Sequence, residues 1–157
     1  MRWRRNMSVE LRFLYNPNVL YWIKFKHKQL KINKIHHIAI ICSNYEASKK
    51  FYTDILGFKI KEETYRAERA SYKLDLMLND EYVIELFSFP NPAPRPTRPE
   101  ALGLRHLAFE VDNLDEAIAY LEIKGVNTEG VRIDDITNKR FTFFNDPDNL
   151  PLEFYEK

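Results

Sequence analysis

Two histidines and two glutamates lie in short apolar stretches of the sequence, where ionisable side chains are uncommon. They are His37, Glu85, His106 and Glu153. The apolar neighbours predict buried strands, and a buried carboxylate is costly unless another group pairs with it. Two imidazoles and two carboxylates from four strands can pair through one shared divalent cation. We therefore predict that these four side chains are metal ligands.

The spacing of these residues indicates an internal repeat. His37 and Glu85 are 48 positions apart, and His106 and Glu153 are 47 positions apart. An offset of 69 positions places the first histidine on the second. A repeat shorter than an ordinary domain predicts two half-domain modules that pack together to close one core.

Hydrophobic periodicity predicts the order β-α-β-β-β in both modules. In module one, residues 32–89, strands are predicted near 34–42, 58–65, 70–78 and 81–89, with a helix from a Ser43 cap to Gly57. In module two, residues 103–157, strands are predicted near 104–111, 126–133, 140–145 and 150–155, with a helix from Asn113 to Gly125. The five prolines between positions 90 and 100 predict an extended linker over residues 90–102.

Each predicted ligand also has a structural explanation. A single histidine in such a stretch is usually a core residue, and a single glutamate could form a buried ion pair with Arg105 or Arg140. The matched positions in a repeat favour metal binding over both. His36 is expected to point to the opposite face from His37, as a packing or hydrogen-bonding residue.

Composition separates a basic head from an acidic body. The 157 residues are 45% hydrophobic and 30% charged, which suits one globular domain, predicted over residues 32–157. Residues 1–31 carry eight Lys or Arg against the single Glu10. They are predicted to be a poorly ordered extension, although a targeting peptide or a nucleic-acid-binding arm remains open.

The expected partners follow from the same composition. A net charge of +1 favours no particular macromolecular partner, and no nucleic acid is expected to bind the body of the chain. The longest apolar run of the head, residues 19–23, is too short to span a membrane. Cys42 is the only cysteine, which excludes an intrachain disulfide and suits a reducing, cytoplasmic location.

Several segments resemble the vicinal oxygen chelate superfamily, and within it the glyoxalase I type. They are His37-Ile38-Ala39-Ile40, Phe51-Tyr52 with Leu56-Gly57-Phe58, Val83-Ile84-Glu85-Leu86, Gly103 to Phe109, and Asp146-Pro147-Asp148-Asn149 with Leu152-Glu153-Phe154. The resemblance covers about four fifths of the chain. Within the superfamily, the chain is similar to an uncharacterised bacterial branch of lactoylglutathione lyase-like proteins.

The resemblance implies an α+β fold in which two βαβββ modules form a curved mixed sheet around a metal. The ligands would come from the first and last strands of each module, at the positions of His37, Glu85, His106 and Glu153. Their nitrogen and oxygen atoms suit one Zn, Ni, Co, Mn or Fe ion. By analogy, two chains are expected to form a homodimer.

The expected activity is that of a metal-dependent lyase or isomerase. It would transfer a proton on a small α-oxo or α-hydroxy carbonyl compound, with Glu153 or Glu85 as the catalytic base. Glutathione-using members have an arginine and an asparagine where this chain has Ile41 and Phe89, so glutathione is not the expected co-substrate.

Other members of the same superfamily suggest alternatives. Fe(II) extradiol-type dioxygenases and fosfomycin-inactivating thiol transferases are similar proteins whose metal sites have fewer protein ligands. A fourth ligand at Glu85 argues against both activities. A non-catalytic drug-binding resistance protein would hold no metal, so the intact ligand set argues against it.

Overall fold

Residues 30–157 are described by a computed structural model of the chain. The contacts divide the chain into two units, Met1–Lys34 and Ile35–Lys157, and every element below belongs to the second. The predicted extension over residues 1–31 lies almost wholly outside the described residues. Within residues 30–157, no helix is long and apolar enough to cross a membrane.

The described chain has an α+β fold in which the same elements occur twice, as the periodicity predicts. Module one contains β1 (Ile38–Cys42), α1 (Tyr45–Lys50), a π-helix (Phe51–Ile55), β2 (Lys59–Arg66), a 3-10 helix (Ala67–Arg69), β3 (Ser71–Leu78) and β4 (Glu81–Ser88). Module two contains β5 (Leu107–Val111), α2 (Leu114–Ile123), β6 (Arg132–Ile133), β7 (Arg140–Asn145) and β8 (Pro151–Glu156). The predicted βαβββ repeat is confirmed.

Each module forms its own four-stranded mixed sheet. The strand orders, β1-β4-β3-β2 and β5-β8-β7-β6, are equivalent. The first and last strands of each module are parallel neighbours, which places Ala39 beside Glu85 and Ala108 beside Glu153. Each alanine follows a predicted ligand histidine by two positions, so this pairing brings each histidine to its glutamate.

A tight turn and a bulge set the register between β3 and β4. Asn79 and Asp80 form the turn, and their φ angles of 50° and 64° are those of a type I′ hairpin. The register then shifts by one residue next to Met77, as in a β-bulge. Asp75 consequently lies opposite Glu85 and shares its face of the sheet.

Both helices begin at an asparagine. The side-chain oxygen of Asn44 accepts a hydrogen bond from the Ala47 N–H at 3.1 Å and caps α1. The prediction of a Ser43 cap is wrong, because α1 begins one residue later and its first backbone hydrogen bond runs from the Ser48 N–H to the Asn44 carbonyl at 3.0 Å. Asn113 caps α2 as predicted, and its side chain also donates to Glu116 at 2.9 Å.

The strand predicted over residues 126–133 is much shorter in the structure. Only Arg132–Ile133 pairs as a strand. Upstream, Glu129 donates its N–H to the carbonyl of Phe143 at 2.7 Å and accepts from the hydroxyl of Thr142 at 2.7 Å. This segment is therefore attached to β7 by separate hydrogen bonds and not by a continuous ladder.

One hydrophobic core joins the two modules. Tyr52 and Phe144 are its largest fully buried side chains, and each module supplies one of them. The ring of Phe58 also contacts the ring of Phe109 across the modules, with centroids 5.8 Å apart. The other buried core residues are Ile40, Cys42, Tyr45, Phe51, Leu74, Leu76, Ile84, Leu86, Leu121, Leu150 and Leu152.

Cys42 packs in this core as a small apolar residue. It is 1% exposed. Burial raises the pKa of its thiol to about 11. The thiol therefore stays protonated at neutral pH.

A buried hydrogen bond crosses between the modules. The hydroxyl of Tyr52 donates to Asp146 Oδ2 at 3.0 Å. The other carboxylate oxygen accepts from the N–H groups of Asp148 and Leu150 at 2.9 and 2.8 Å. Burial raises the pKa of the Asp146 carboxyl above its usual range, so each donor offsets part of the cost of a buried charge.

We expect Tyr52→Phe to lower the free energy of unfolding by about 1–3 kcal/mol, because one buried oxygen of Asp146 loses its donor. Urea unfolding followed by circular dichroism measures this change. Tyr65→Phe is the matched control, since Tyr65 is 55% exposed and its hydroxyl has no hydrogen-bond partner among residues 30–157. It should change stability by less than about 0.5 kcal/mol. Equal effects of the two substitutions would contradict this role of Tyr52.

Candidate metal centre

Each module pairs one predicted histidine with one predicted glutamate. The Nε2 atom of His37 lies 3.2 Å from Glu85 Oε2, and the Nε2 atom of His106 lies 2.9 Å from Glu153 Oε2. In both modules the histidine directly precedes the first strand and the glutamate lies in the last strand. The same local arrangement therefore occurs twice. We call these the module-one pair and the module-two pair.

The glutamates are buried more deeply than the histidines. The side chains of Glu85 and Glu153 are 15% and 10% exposed, whereas those of His37 and His106 are 34% and 27% exposed. The prediction that all four lie in buried strands is wrong for the histidines, because β1 and β5 each begin one residue later. The imidazoles are consequently the part of each pair that solvent reaches more easily.

The module-one pair lies in a network of charged groups. Lys73 Nζ lies 2.9 Å from Glu85 Oε1 and also contacts Asp75, which accepts a hydrogen bond from the Tyr82 hydroxyl at 3.2 Å. Burial opposes ionisation of Glu85, but hydrogen bonds from Lys73 and Tyr82 outweigh it and hold the pKa of this carboxyl below its usual range. Burial acts against the Lys73 ammonium too, yet the two carboxylates raise its pKa. This network keeps Glu85 ionised and in place.

His36 lies beside His37, so its predicted orientation to the opposite face is wrong, whereas its predicted hydrogen-bonding role agrees with the structure. The Nδ1 atoms of His36 and His37 lie 2.8 Å apart, and the rings are edge-on with centroids 5.1 Å apart. Neighbouring residues point to opposite faces only within a strand, and both histidines precede β1. A metal-binding histidine commonly uses its second ring nitrogen for a hydrogen bond. His36 is placed to make that bond to His37.

The module-two pair lies beside aromatic rings. Phe143 is opposite Glu153 in the neighbouring strand, and its ring meets that of His106 edge-on with centroids 5.2 Å apart. The Nδ1 atom of His106 is buried and has no hydrogen-bond partner among residues 30–157. Within the same residues, His106 is the only ionic partner of Glu153. Glu153 is therefore less constrained than Glu85.

The two pairs do not form one cluster within the described part of a single chain. Among residues 30–157, no group of three or more His, Cys, Asp or Glu side chains is placed to hold a metal ion. The nitrogen–oxygen distance within each pair suits two ligands of one metal ion. Two donor atoms that lie about 2.1 Å from an ion, at right angles to each other, are about 3.0 Å apart. The imidazole and carboxylate donors also suit a divalent transition metal. Each pair therefore fits such an ion in the type and separation of its donor atoms.

The ion pairs of Arg105 and Arg140 test the structural explanation of the two glutamates. Arg105 binds Glu100 at 2.9 Å and Arg140 binds Asp115 at 2.5 Å, so the explanation of Glu85 or Glu153 as their ion-pair partners is wrong.

Sequence reasoning missed the charged network around Glu85. A signal for it exists in β3, where Lys73 and Asp75 alternate with the buried Leu74 and Leu76. Two charged residues on one face of an otherwise apolar strand indicate that this face carries a polar site.

Comparison with known proteins places the chain in a family. The model of the Glyoxalase/Bleomycin resistance protein/Dioxygenase superfamily matches residues 34–154. The uncharacterized protein YwkD of Bacillus subtilis is 65% identical over 126 residues, which are 80% of this chain and 98% of that protein. The lactoylglutathione lyase of Schizosaccharomyces pombe is 30% identical over 142 residues, covering 76% of this chain and 46% of that protein.

A solved structure gives the same result. The crystal structure of a glyoxalase family protein from Enterococcus faecalis matches with a TM-score of 0.74 and 50% sequence identity, over 78% of this chain and 97% of that chain. The equivalent sheets, the paired modules and these matches lead to one conclusion. The chain belongs to the glyoxalase/bleomycin resistance protein/dioxygenase superfamily.

Proposed function

We propose that this protein is a metal-dependent lyase or isomerase of the glyoxalase I type. Its substrate would be a small α-oxo or α-hydroxy carbonyl compound on which it moves a proton between neighbouring atoms. The observation that carries the proposal is the occurrence of the same histidine–glutamate pair in both modules, with nitrogen–oxygen separations of 3.2 and 2.9 Å. His37, Glu85, His106 and Glu153 would hold the ion.

The charges of the two pairs support a divalent ion. With the imidazoles neutral, as ligation requires, the module-one network has Lys73 against the carboxylates of Glu85 and Asp75, which leaves one negative charge. The module-two pair adds one more through Glu153. Together the two pairs carry the charge that balances a divalent cation.

A complete site requires the two pairs to meet, and a homodimer provides a way. The described residues of one chain keep the pairs in separate sheets without a group of three ligands. In a twofold dimer, the module-one pair of one chain would meet the module-two pair of its partner, and the symmetry would create two equal sites. We propose that the active protein is such a dimer.

The environments of the two glutamates suggest different roles. Glu85 is held by Lys73 and by the network around it, so it would stay a fixed ligand. Glu153 has only His106 as an ionic partner among residues 30–157, so no second charged group fixes its carboxylate. Glu153 would therefore take the proton from the substrate carbon and return it to the adjacent atom. When bound, the ion supplies Lewis-acid stabilisation of the negative charge that develops on the substrate oxygen.

Glutathione is not the expected co-substrate. Ile41 is 55% exposed and offers no polar group for a carboxylate. The ring of Phe89 stacks on that of Phe87 with centroids 5.9 Å apart. Neither apolar side chain can replace the charged and amide groups that hold glutathione in the similar enzymes.

Metal binding tests the proposal directly. We expect purified protein without a histidine tag to bind about one transition-metal ion per chain, and Glu85→Gln to weaken binding at least about tenfold. Elemental analysis and titration with Zn, Ni or Mn measure both quantities. Glu63→Gln is the matched control, because Glu63 lies in the same sheet but contacts Tyr45 and Lys49 of α1. Failure to bind any of these ions after reconstitution would overturn the proposal.

A second candidate function is non-catalytic binding of a small molecule. It is favoured by the hydrogen-bonding distance within each pair, which satisfies histidine and glutamate without an ion. The metal titration separates the two functions, since a binding protein of this kind would bind no transition metal even after reconstitution.

A further inference from the structure

A cavity of about 710 Å³ lies beside His106, on the module-two side of the proposed site. Its volume falls within the range of about 300–1,000 Å³ that is typical of small-molecule sites. We call it the arginine cavity. The charged side chains that line it, apart from the histidine, are Arg98, Glu100, Arg105, Glu129 and Arg132.

The charges of the arginine cavity do not balance. Arg105 is matched by Glu100, whose Oε1 accepts from its Nε and Nη2 atoms at 3.2 and 2.9 Å. Arg98 and Arg132 share a single carboxylate, because Arg98 Nη2 lies 3.3 Å from Glu129 Oε1 while Arg132 contacts Oε2 of the same residue. Three guanidinium groups therefore line the cavity together with two carboxylates, which leaves one positive charge in excess.

Arg132 is the arginine whose position is best fixed. Its guanidinium lies over the rings of Phe143 and Phe141, at 5.0 and 5.6 Å from their centroids. Cation–π contacts hold the flat face of the group, and Glu129 holds one of its nitrogen atoms. The remaining N–H donors are at the edge of the guanidinium, which can bind a carboxylate in bidentate fashion. The side chain is 51% exposed in the single chain.

The apolar lining of the cavity indicates what the uncharged part of the ligand is like. Val131, Phe143 and Pro151 provide an apolar surface beside the arginines. A ligand that carried charge over its whole length would leave that surface unused, and a wholly apolar ligand would leave the excess charge unpaired. The cavity therefore matches a molecule with one anionic end and an apolar body.

We propose that the arginine cavity binds a monoanionic carboxylic acid that has an apolar side chain and an α-oxo or α-hydroxy group. Arg132 binds the carboxylate, and the excess positive charge shared by Arg98 and Arg132 selects an anion over a neutral analogue. This inference names the substrate class of the site proposed above and rests on the proposed function for the reaction. Its binding step requires no metal.

Calorimetric titration of EDTA-treated protein with 3-phenyllactate tests the inference. We expect the acid to bind the wild-type chain, and 3-phenylpropane-1,2-diol, its neutral counterpart, to bind at least about tenfold more weakly. Arg132→Gln should raise the Kd of the acid at least about tenfold, and Arg132→Lys should recover part of the loss.

Arg140→Gln is the matched control, because it removes the same charge from the neighbouring strand. Arg140 binds Asp115 and Glu156 and does not line the cavity. Its Kd for the acid should stay within about twofold of the wild-type value. Equal binding of the acid and the diol, equal losses in Arg132→Gln and Arg140→Gln, or no binding of the acid would each overturn the inference. Failure of the proposed function would appear instead in separate preparations that are not treated with EDTA, as a failure to bind Zn, Ni or Mn.

Discussion

Replacing Glu153 with glutamine is expected to lower the rate of α-proton exchange by about 1,000-fold in metal-loaded protein. Glutamine keeps an oxygen that can serve as a ligand, but it cannot accept a proton at neutral pH. Glu153 is 8% exposed and has only His106 as an ionic partner among residues 30–157. Incorporation of solvent deuterium into the best α-oxo substrate, followed by NMR, measures the rate.

Two further variants make this experiment specific. Glu85→Gln should act mainly through weaker metal binding, since Lys73 holds Glu85 as an anion. Glu63→Gln should leave the exchange rate unchanged, because Glu63 contacts α1 and neither pair. If Glu153→Gln exchanged protons normally while fully metal-loaded Glu85→Gln did not, the roles of the two glutamates would be reversed.

Mixing two inactive variants is expected to restore about a quarter of the wild-type activity. His37→Ala damages every module-one pair and His106→Ala every module-two pair, so each variant alone should lack activity. In a dimer that contains one chain of each kind, one of the two shared sites receives both intact pairs. Random association makes about half of the dimers mixed, and each mixed dimer has one working site.

The mixing experiment has a readout besides activity. Co-refolded His37→Ala and His106→Ala chains should bind about one ion per four chains, against about one per chain in the wild type. Sites built within single chains would stay damaged in every dimer. A mixture as inactive and as metal-poor as either variant alone would therefore refute the shared site.

The fold was predictable because local signals agree with the packing. The alternation in Ile38–Cys42 and the cap at Asn113 each specify an element without help from distant residues. The prediction failed at the start of α1, next to a contact between the modules. Asn44 caps α1, and the N–H of the neighbouring Ser43 bonds to Asp148 of module two, a contact that no pattern near α1 reveals.

The candidate site was predictable in its pairs but not in its surroundings. The repeat predicted equivalent positions for the two histidines and for the two glutamates, and the parallel pairing of first and last strands in the structure places each histidine beside its glutamate. The position of Asp75 depends on the bulge next to Met77, because an unbroken ladder from the turn would place Asp75 opposite Ile84. A bulge leaves little trace in one sequence. The network that fixes Glu85 was consequently invisible before the register was known.

The burial of Cys42 makes the protein convenient for distance measurements. It is the only cysteine in the chain, and its protonated thiol in the core is shielded from maleimides and methanethiosulfonates. A cysteine introduced at an exposed position would thus be the single point of attachment for a spin label. The separation between two such labels would report how copies of the chain associate, without removal of any native residue.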